Sequence, residues 1–198
     1  MNKSNELTNL LEMASEVHHE NVIAGWWDQK RTPATYSCLF MSELGEAVEG
    51  LRKVLMDDHL PQHPMWHVEI ADFAIRVLDW IGQYDPDELL AIADDMSDSK
   101  FVHKKTDPLD SIMELTWNVS FAYREMAILE LIQHADYVDV DYINEAIEPL
   151  IVCLSECLNI QKNNNFDLIQ IIKEKREYNK TRADHKIENR QKENGKKF

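Results

Sequence analysis

Glycine and proline are scarce, at 5 and 6 of 198 residues. Turn-dense β folds rely on both, so the shortage favours long helices with short connections. Long apolar runs are missing too. No stretch approaches the ~20 consecutive apolar residues of a membrane-spanning helix. The polar opening, Met1 to Glu6, lacks the layout of a secretory signal peptide. Cysteine is limited to Cys38, Cys153 and Cys157, an odd number without framework spacing, so a reducing cytoplasm is the expected compartment. Cys153 and Cys157 stand four apart on an apolar helix and read as small buried hydrophobes rather than metal ligands.

Basic charge is short as well: 21 Lys/Arg face 36 Asp/Glu, a formal net charge of −15. The imbalance is uneven. Residues 173–198 hold ten Lys/Arg and five Asp/Glu, which leaves eleven and thirty-one for the rest. An acidic body repels duplex nucleic acid, yet it suits divalent cations and, through them, a polyphosphate. The basic end resembles a nucleic-acid arm only weakly, because acids interrupt it and aromatics do not.

Apolar periodicity of about 3.6 predicts an all-α helical bundle of about seven helices. The expected spans are about 5–27, 33–57, 65–83, 86–97, 108–135, 139–160 and 167–182. Thr32-Pro33, Asp85-Pro86 and Asp107-Pro108 supply caps and first turns, and Asn163–Asn165 reads as a break. Tyr137–Tyr142 alternates briefly and is the one competing strand, too short to change the class. Three segments are expected: 1–98 with the acidic helices, 99–186 completing the bundle, and 187–198 as a frayed basic tail. An internal repeat of a helical hairpin is one reading. Glu69-Ile-Ala-Asp72 lies over Glu145-Ala-Ile-Glu148, and Glu43-Leu-Gly-Glu46 over Glu114-Leu-Thr-Trp117. The match is short, and coincidence explains it equally well.

Two acidic pairs carry the chemistry. Glu43 and Glu46 sit three apart on the second helix, and Glu69 and Asp72 three apart on the third, so each pair shares one helix face. At about 100° per residue, Glu43 flanks the stripe Phe40, Leu44, Ala47, Leu51, while Glu49 points away into solvent. Glu69 and Asp72 flank the stripe Ile70, Ala74, Val77, Ile81, with Arg76 between them in angle. Two such helices packed together bring the pairs face to face. Carboxylates so placed repel one another and are costly to desolvate; a hard, oxygen-seeking ion such as Mg²⁺ or Mn²⁺ relieves both costs. The ordinary reading of an ExxE or ExxD helix is a solvated face, and only the two together on adjacent helices outweigh it.

Ser42-Glu43-Leu44-Gly45-Glu46-Ala47-Val48-Glu49-Gly50, then Glu69-Ile70-Ala71-Asp72, then Lys175-Arg176-Glu177-Tyr178-Asn179-Lys180-Thr181-Arg182, resembles the MazG-like all-α nucleoside triphosphate pyrophosphatases, related to the dimeric dUTPases. Relatives with such an ending often carry a Gly-Trp-Trp segment, here Gly25-Trp26-Trp27, before the second helix. The resemblance covers about residues 5–97 and 166–186. It implies Mg²⁺-dependent hydrolysis of a (d)NTP between the α and β phosphates. Glu43, Glu46, Glu69 and Asp72 would be the metal ligands, one of the first pair would take the proton of the attacking water, and the chain would be a homodimer. Lys175, Asn179 and Arg182, on one face of the last helix, would meet phosphates, against the alternative of a solvated basic helix end. Arg76 would pair with Asp72 or reach a phosphate, the pairing being preferred. Trp26 or Trp27 would stack on a base or, more simply, cap the core. His18, His19, His63 and His67 share no ligand spacing.

The chain departs from the family pattern in two places. Ser42 replaces the first of two consecutive acids, and Arg52-Lys53-Val54-Leu55 stands where those dUTPases have an aromatic-and-lysine segment, so dUTP is not implied. The rival reading is a non-catalytic nucleotide-binding or helical interaction protein. A di-iron carboxylate protein would need matched Glu-x-x-His pairs, which are absent.

Overall fold

A computed structural model describes residues 5–96, 107–133 and 140–182. They form seven helices: α1 (Asn5–Ile23), α2 (Pro33–Lys53), α3 (Met65–Ile81), α4 (Pro86–Asp95), α5 (Pro108–Gln133), α6 (Val140–Asn164) and α7 (Leu168–Thr181). No strand occurs among the described residues, so the all-α expectation holds. The tail beyond 182, and the first half of the Tyr137–Tyr142 candidate strand, lie outside them; its last three residues open α6. No helix among the described residues is long and apolar enough to cross a membrane.

The helix starts follow the expected caps. The Thr32 hydroxyl accepts from the Thr35 amide ahead of Pro33, and the Asp85 carboxylate accepts from Asp87 ahead of Pro86, each satisfying an amide the first turn leaves open. Three ends differ from expectation, α1 closing at Ile23 rather than near residue 27. α2 stops at Val54, which adopts a left-handed conformation with φ 53° and lets its amide and that of Leu55 both return to the Gly50 carbonyl. The loop beyond is locked by Asp57, whose carboxylate accepts from the amides of His59 and Leu60 at 2.9 and 2.7 Å. α6, in turn, continues past Ile160 to Asn164, because the Asn164 side chain donates to the Ile160 carbonyl. The break comes one residue later, at Asn165 with φ 55°, where a left-handed residue ends the helix.

α2 and α3 run antiparallel: Phe40 meets Phe73 edge to face at 6.2 Å, and Gly50 lies against Met65 and Trp66. α5 and α6 form the second packed pair, and α2 seats on α5. α1 and α7 pack on α3, so twelve of the 17 residues of α3 are buried. Burial along α3 recurs along α6 in the register of the proposed repeat. Ile70, Ala74, Val77, Leu78 and Ile81 are buried, and so are Ala146, Leu150, Cys153, Leu154 and Cys157. The acids diverge: Glu69 is buried and Glu145 exposed.

Where α1 crosses the end of α3, the backbones nearly touch. A Cβ on Gly82 would fall 2.1 Å from the Ala14 carbonyl oxygen, although the Gly82 backbone itself is right-handed, with φ −70°. Glycine is required here by space. Gly82→Ala should therefore destabilise the fold by about 1–3 kcal/mol, the range of an overpacked core, without loss of helical circular dichroism before the transition; urea denaturation measures it.

Candidate metal centre

Three of the four expected ligands converge. Glu43 on α2 and Glu69 and Asp72 on α3 each place a carboxylate oxygen within 4.8 Å of the others. The apolar stripes explain the placement. Burying Leu44 and Ala47 against Ile70 and Ala74 drags the flanking acids into the seam between the helices. Glu43 and Glu69 are buried, and the Asp72 side chain is 17% exposed. The fourth residue, Glu46, is exposed on the next turn of α2 and lies outside the converging set. Its angle carries it away from the seam toward solvent. Ser42, where the family has an acid, donates to the Leu39 carbonyl at 2.8 Å and stands 3.3 Å from Glu43.

Two cations neutralise the cluster. The Arg76 guanidinium donates to Glu43 at 2.6 Å. The expected partner, Asp72, lies one turn below Arg76 on its own helix, but Glu43 faces Arg76 directly across the seam. Asp72 instead takes Lys175, whose ammonium sits 2.7 Å away and is only 2% exposed as a residue. Lys175, expected at a phosphate or in a solvated helix end, is instead buried and paired with Asp72.

Among the described residues Glu69 forms no ion pair, although the Lys175 charge acts on it. Burial, then the charges of Asp72 and Glu43, push its carboxyl up to about 9, with a hydrogen bond to Glu43 adding to the rise. Burial also raises Asp72, against the pull of Lys175. With Glu69 protonated, two ion pairs remain and the seam is neutral. Two ligands on opposite sides of an ion bound at about 2.1 Å are roughly 4.2 Å apart. The spread of the three oxygens therefore fits one hard divalent ion after small side-chain shifts, leaving positions for water or phosphate.

The remaining candidates scatter around this seam. Asn179 lies one turn beyond Lys175, and its side-chain oxygen is buried without a hydrogen-bond partner, which makes it an acceptor with nothing to accept. Arg182 ends α7 beside the Tyr178 ring, two turns from Lys175. Trp27 packs as a core cap: its indole N–H donates to Asp79 at 2.9 Å, and its ring meets His18 and Tyr36. It also lines a cavity of about 150 Å³ with Arg31, Tyr36, Tyr84 and Glu130. Cys153 and Cys157 are buried, as expected of small hydrophobes.

Sequence reasoning missed two acids. Asp79 holds Trp27 and lies 3.5 Å from His18, so the turn after α1 is tied to α3. Its spacing of seven from Asp72, two helical turns, was the available signal. Asp57 anchors the loop that borders Lys175 and adds to the field holding that lysine protonated; an Asp just past a helix end and ahead of a proline is a turn signature. The histidines are structural: His63 bonds Glu174 at 2.7 Å, and His67 stacks on Phe166 while burial pushes its ring down to about 4.

No protein-family model, curated protein or solved structure matches this chain.

The buried Glu69 has a consequence for stability. In the unfolded chain it ionises near its ordinary value of 4.5, whereas in the fold it stays protonated up to about 9. The folded state thus binds the extra proton between those values, and stability falls as pH rises through that window. Gln mimics the protonated acid and cannot ionise. In chelator, Glu69→Gln should raise the melting temperature, by roughly 2–4 °C for each kcal/mol relieved, with a gain at pH 8.5 clearly larger than at pH 5. Equal gains at both pH values would show that Glu69 ionises freely in the fold.

Proposed function

We propose that this chain is a metal-dependent nucleoside triphosphate pyrophosphohydrolase, converting a (d)NTP to the monophosphate and pyrophosphate. The observation that carries the reading is the convergence of Glu43, Glu69 and Asp72 in a desolvated seam beside the buried Lys175. Exposed acids cluster on many helical surfaces without purpose. Buried ones cost stability and are retained where their charge is used.

Glu43, Glu69 and Asp72 would hold Mg²⁺, with Mn²⁺ as a substitute. Such an ion, when bound, stabilises charge on a phosphoryl group and acidifies a coordinated water. Lys175 and Arg76 stand at the two edges of the seam, each within one ion pair of a ligand. Once their carboxylates are engaged elsewhere, both cations can turn to phosphate oxygens. The orphaned Asn179 oxygen lies on the same side of α7 and would accept a donor from substrate or bound water. Glu46, one turn from Glu43 but turned out of the seam, would reach the attacking water through one bridging water and accept its proton that way. The Trp27 and Tyr36 cavity lies two turns along α2 and α3, about 10 Å by helical rise, a span compatible with a nucleoside whose phosphates sit at the seam.

The resemblance of residues 42–50, 69–72 and 175–182 to MazG-like pyrophosphatases agrees with this reading. Ser42 in place of an acid favours the rival, a nucleotide-binding relative without turnover. A panel of normal and modified (d)NTPs with Mg²⁺ and a pyrophosphate readout separates them: binding by calorimetry with no product from any member would establish the rival.

Two further outcomes are expected. Glu46→Gln should lower kcat by about 10²–10⁴-fold, the range of a lost general base, while Mn²⁺ affinity stays near wild type; Asp72→Asn should lose both. Divalent binding must also expel the Glu69 proton, so Mn²⁺ affinity should rise by up to about tenfold per pH unit between neutrality and pH 9 and then level off. Proton release measured by calorimetry in buffers of different ionisation enthalpy checks the second.

A further inference from the structure

The core-facing side of α5 is complete in itself, with Ile112, Leu115, Val119, Ala122, Met126 and Leu129 buried. Other apolar side chains of α5 face outward. The largest, Trp117, is 70% exposed, and no ring or cation lies against it among the described residues. Beside it, between α5 and α6, runs a groove of about 750 Å³, a size typical of small-molecule sites. Trp117, Phe121, Pro149 and Val152 form its apolar walls, and Glu114, Glu145 and Glu148 line it as well.

One contact sets the register of the two helices. α5 ends at Gln133 and α6 begins at Val140, a connection so short that the pair lies antiparallel. The Cys153 thiol meets the Leu115 carbonyl at 3.9 Å. Counting away from that contact, Val152 lies near Trp117, while Glu148 and Glu145 fall opposite about residues 120 and 123 of α5. Glu114 stands at the other end, beyond Trp117. The groove is therefore apolar in the middle and acidic at both ends, which are roughly 11 Å apart by helical rise.

Glu114 and Glu145 are exposed and form no ion pair among the described residues. Arg124, the one cation among the lining residues, is already held by the buried Glu125 and lies 4.4 Å from the Phe121 ring centroid. That pair is neutral, so both ends of the groove stay negative. The backbone adds a further acceptor. Pro149, inside α6, has no N–H, so the Glu145 carbonyl lacks its helical donor. Both residues line the groove, and an oxygen left open there suits an N–H of a ligand. Carboxylates in contact with water gain little from a bare ion. An occupant that also covers the walls gains from apolar burial and from a cation over the Trp117 ring. Anions are repelled, and a neutral apolar ligand leaves the acids and the carbonyl unused.

We propose that the groove between α5 and α6 binds a linear polyamine, with one ammonium at Glu114, another at Glu145 and Glu148, and the methylene chain along Trp117 and Phe121. Extended spermidine places its end ammonium groups roughly 11 Å apart, at bond lengths of about 1.5 Å. The site is separate from the carboxylate seam and does not rest on the catalytic reading.

Calorimetric titration of the full chain with spermidine at low salt tests it, with circular dichroism to confirm folding. Wild type should show one saturable site. Trp117→Ala should weaken it by about tenfold, and Glu114→Gln and Glu145→Gln each by about two- to fivefold. Glu88→Gln, which removes an exposed acid on α4, should leave it unchanged. Putrescine, which is shorter, and a bis-trimethylammonium alkane of matched length, which has no N–H to donate, should both bind more weakly than spermidine. No saturable binding to wild type would overturn the proposal. So would an affinity untouched by Trp117→Ala, or an equal loss in Glu88→Gln and Glu145→Gln, the mark of general attraction to an acidic body.

Discussion

The ion pair between Lys175 and Asp72 is the contact on which the architecture of the site depends. A lysine 2% exposed and a carboxylate at 2.7 Å each lose hydration on folding, and neither would be tolerated alone, since an uncompensated buried charge costs several kcal/mol. The pair brings α7, more than a hundred residues downstream, onto the acidic side of α3. Neighbouring contacts then follow. Arg176 reaches across to Glu20 and Glu16 on α1, and Glu174 takes His63 and Gln62 from the loop before α3. The basic stretch that looks from sequence like a solvated helix end is the counterion of the acidic one.

This balance also accounts for the charge state of the seam. Three carboxylates and two cations leave one excess negative charge, and Glu69 removes it by staying protonated. A divalent ion can enter only by disturbing that settlement, through expulsion of a proton or displacement of a cation. Either event would couple binding to motion of side chains at the seam edge, where Arg76 and Lys175 stand. A site of this kind is stable when empty and responsive when filled, which a cluster of solvated acids is not.

Much of this was legible in the chain. Helix number and type followed from apolar spacing and from three proline-led starts. Glu43, Glu69 and Asp72 were placed by their angle to the apolar stripes, because burying the stripe fixes the flank. Glu46 was misplaced by the same logic applied too loosely: spacing of three shares a face, but Glu43 borders the core and Glu46 already turns outward. Arg76 was assigned to Asp72 because local spacing is visible in sequence, whereas its actual partner, Glu43, is 33 residues away. Asp79 and Asp57 went unnoticed for a related reason. Their partners are an indole and a pair of loop amides, which carry no charge, so the spacing of Asp79 and the turn position of Asp57 mark the acids without naming what they hold. The ends of α2 and α6 depended on a left-handed valine and an asparagine folded back on its own helix, choices made by local hydrogen bonding that residue preferences average away.

The two halves show how one pattern can be put to separate uses. α3 and α6 bury matching positions, so the same hairpin geometry serves both. In the first half, α7 closes the outer side of the seam, and the acids beneath it are desolvated and strained in charge. In the second half, Glu145 stays exposed, and Glu114 and Glu148 line an open groove instead of a closed seam. Among the described residues no helix covers that groove, and an acid left in contact with water gains little from an ion. Trp117, at the position matching Glu46 in the proposed repeat, replaces a carboxylate with the largest apolar side chain available. The divergence thus follows from topology: α7 covers the acidic side of α3 and supplies Lys175 there, whereas the buried acid of the second hairpin, Glu125, takes its own sequence neighbour Arg124 as counterion.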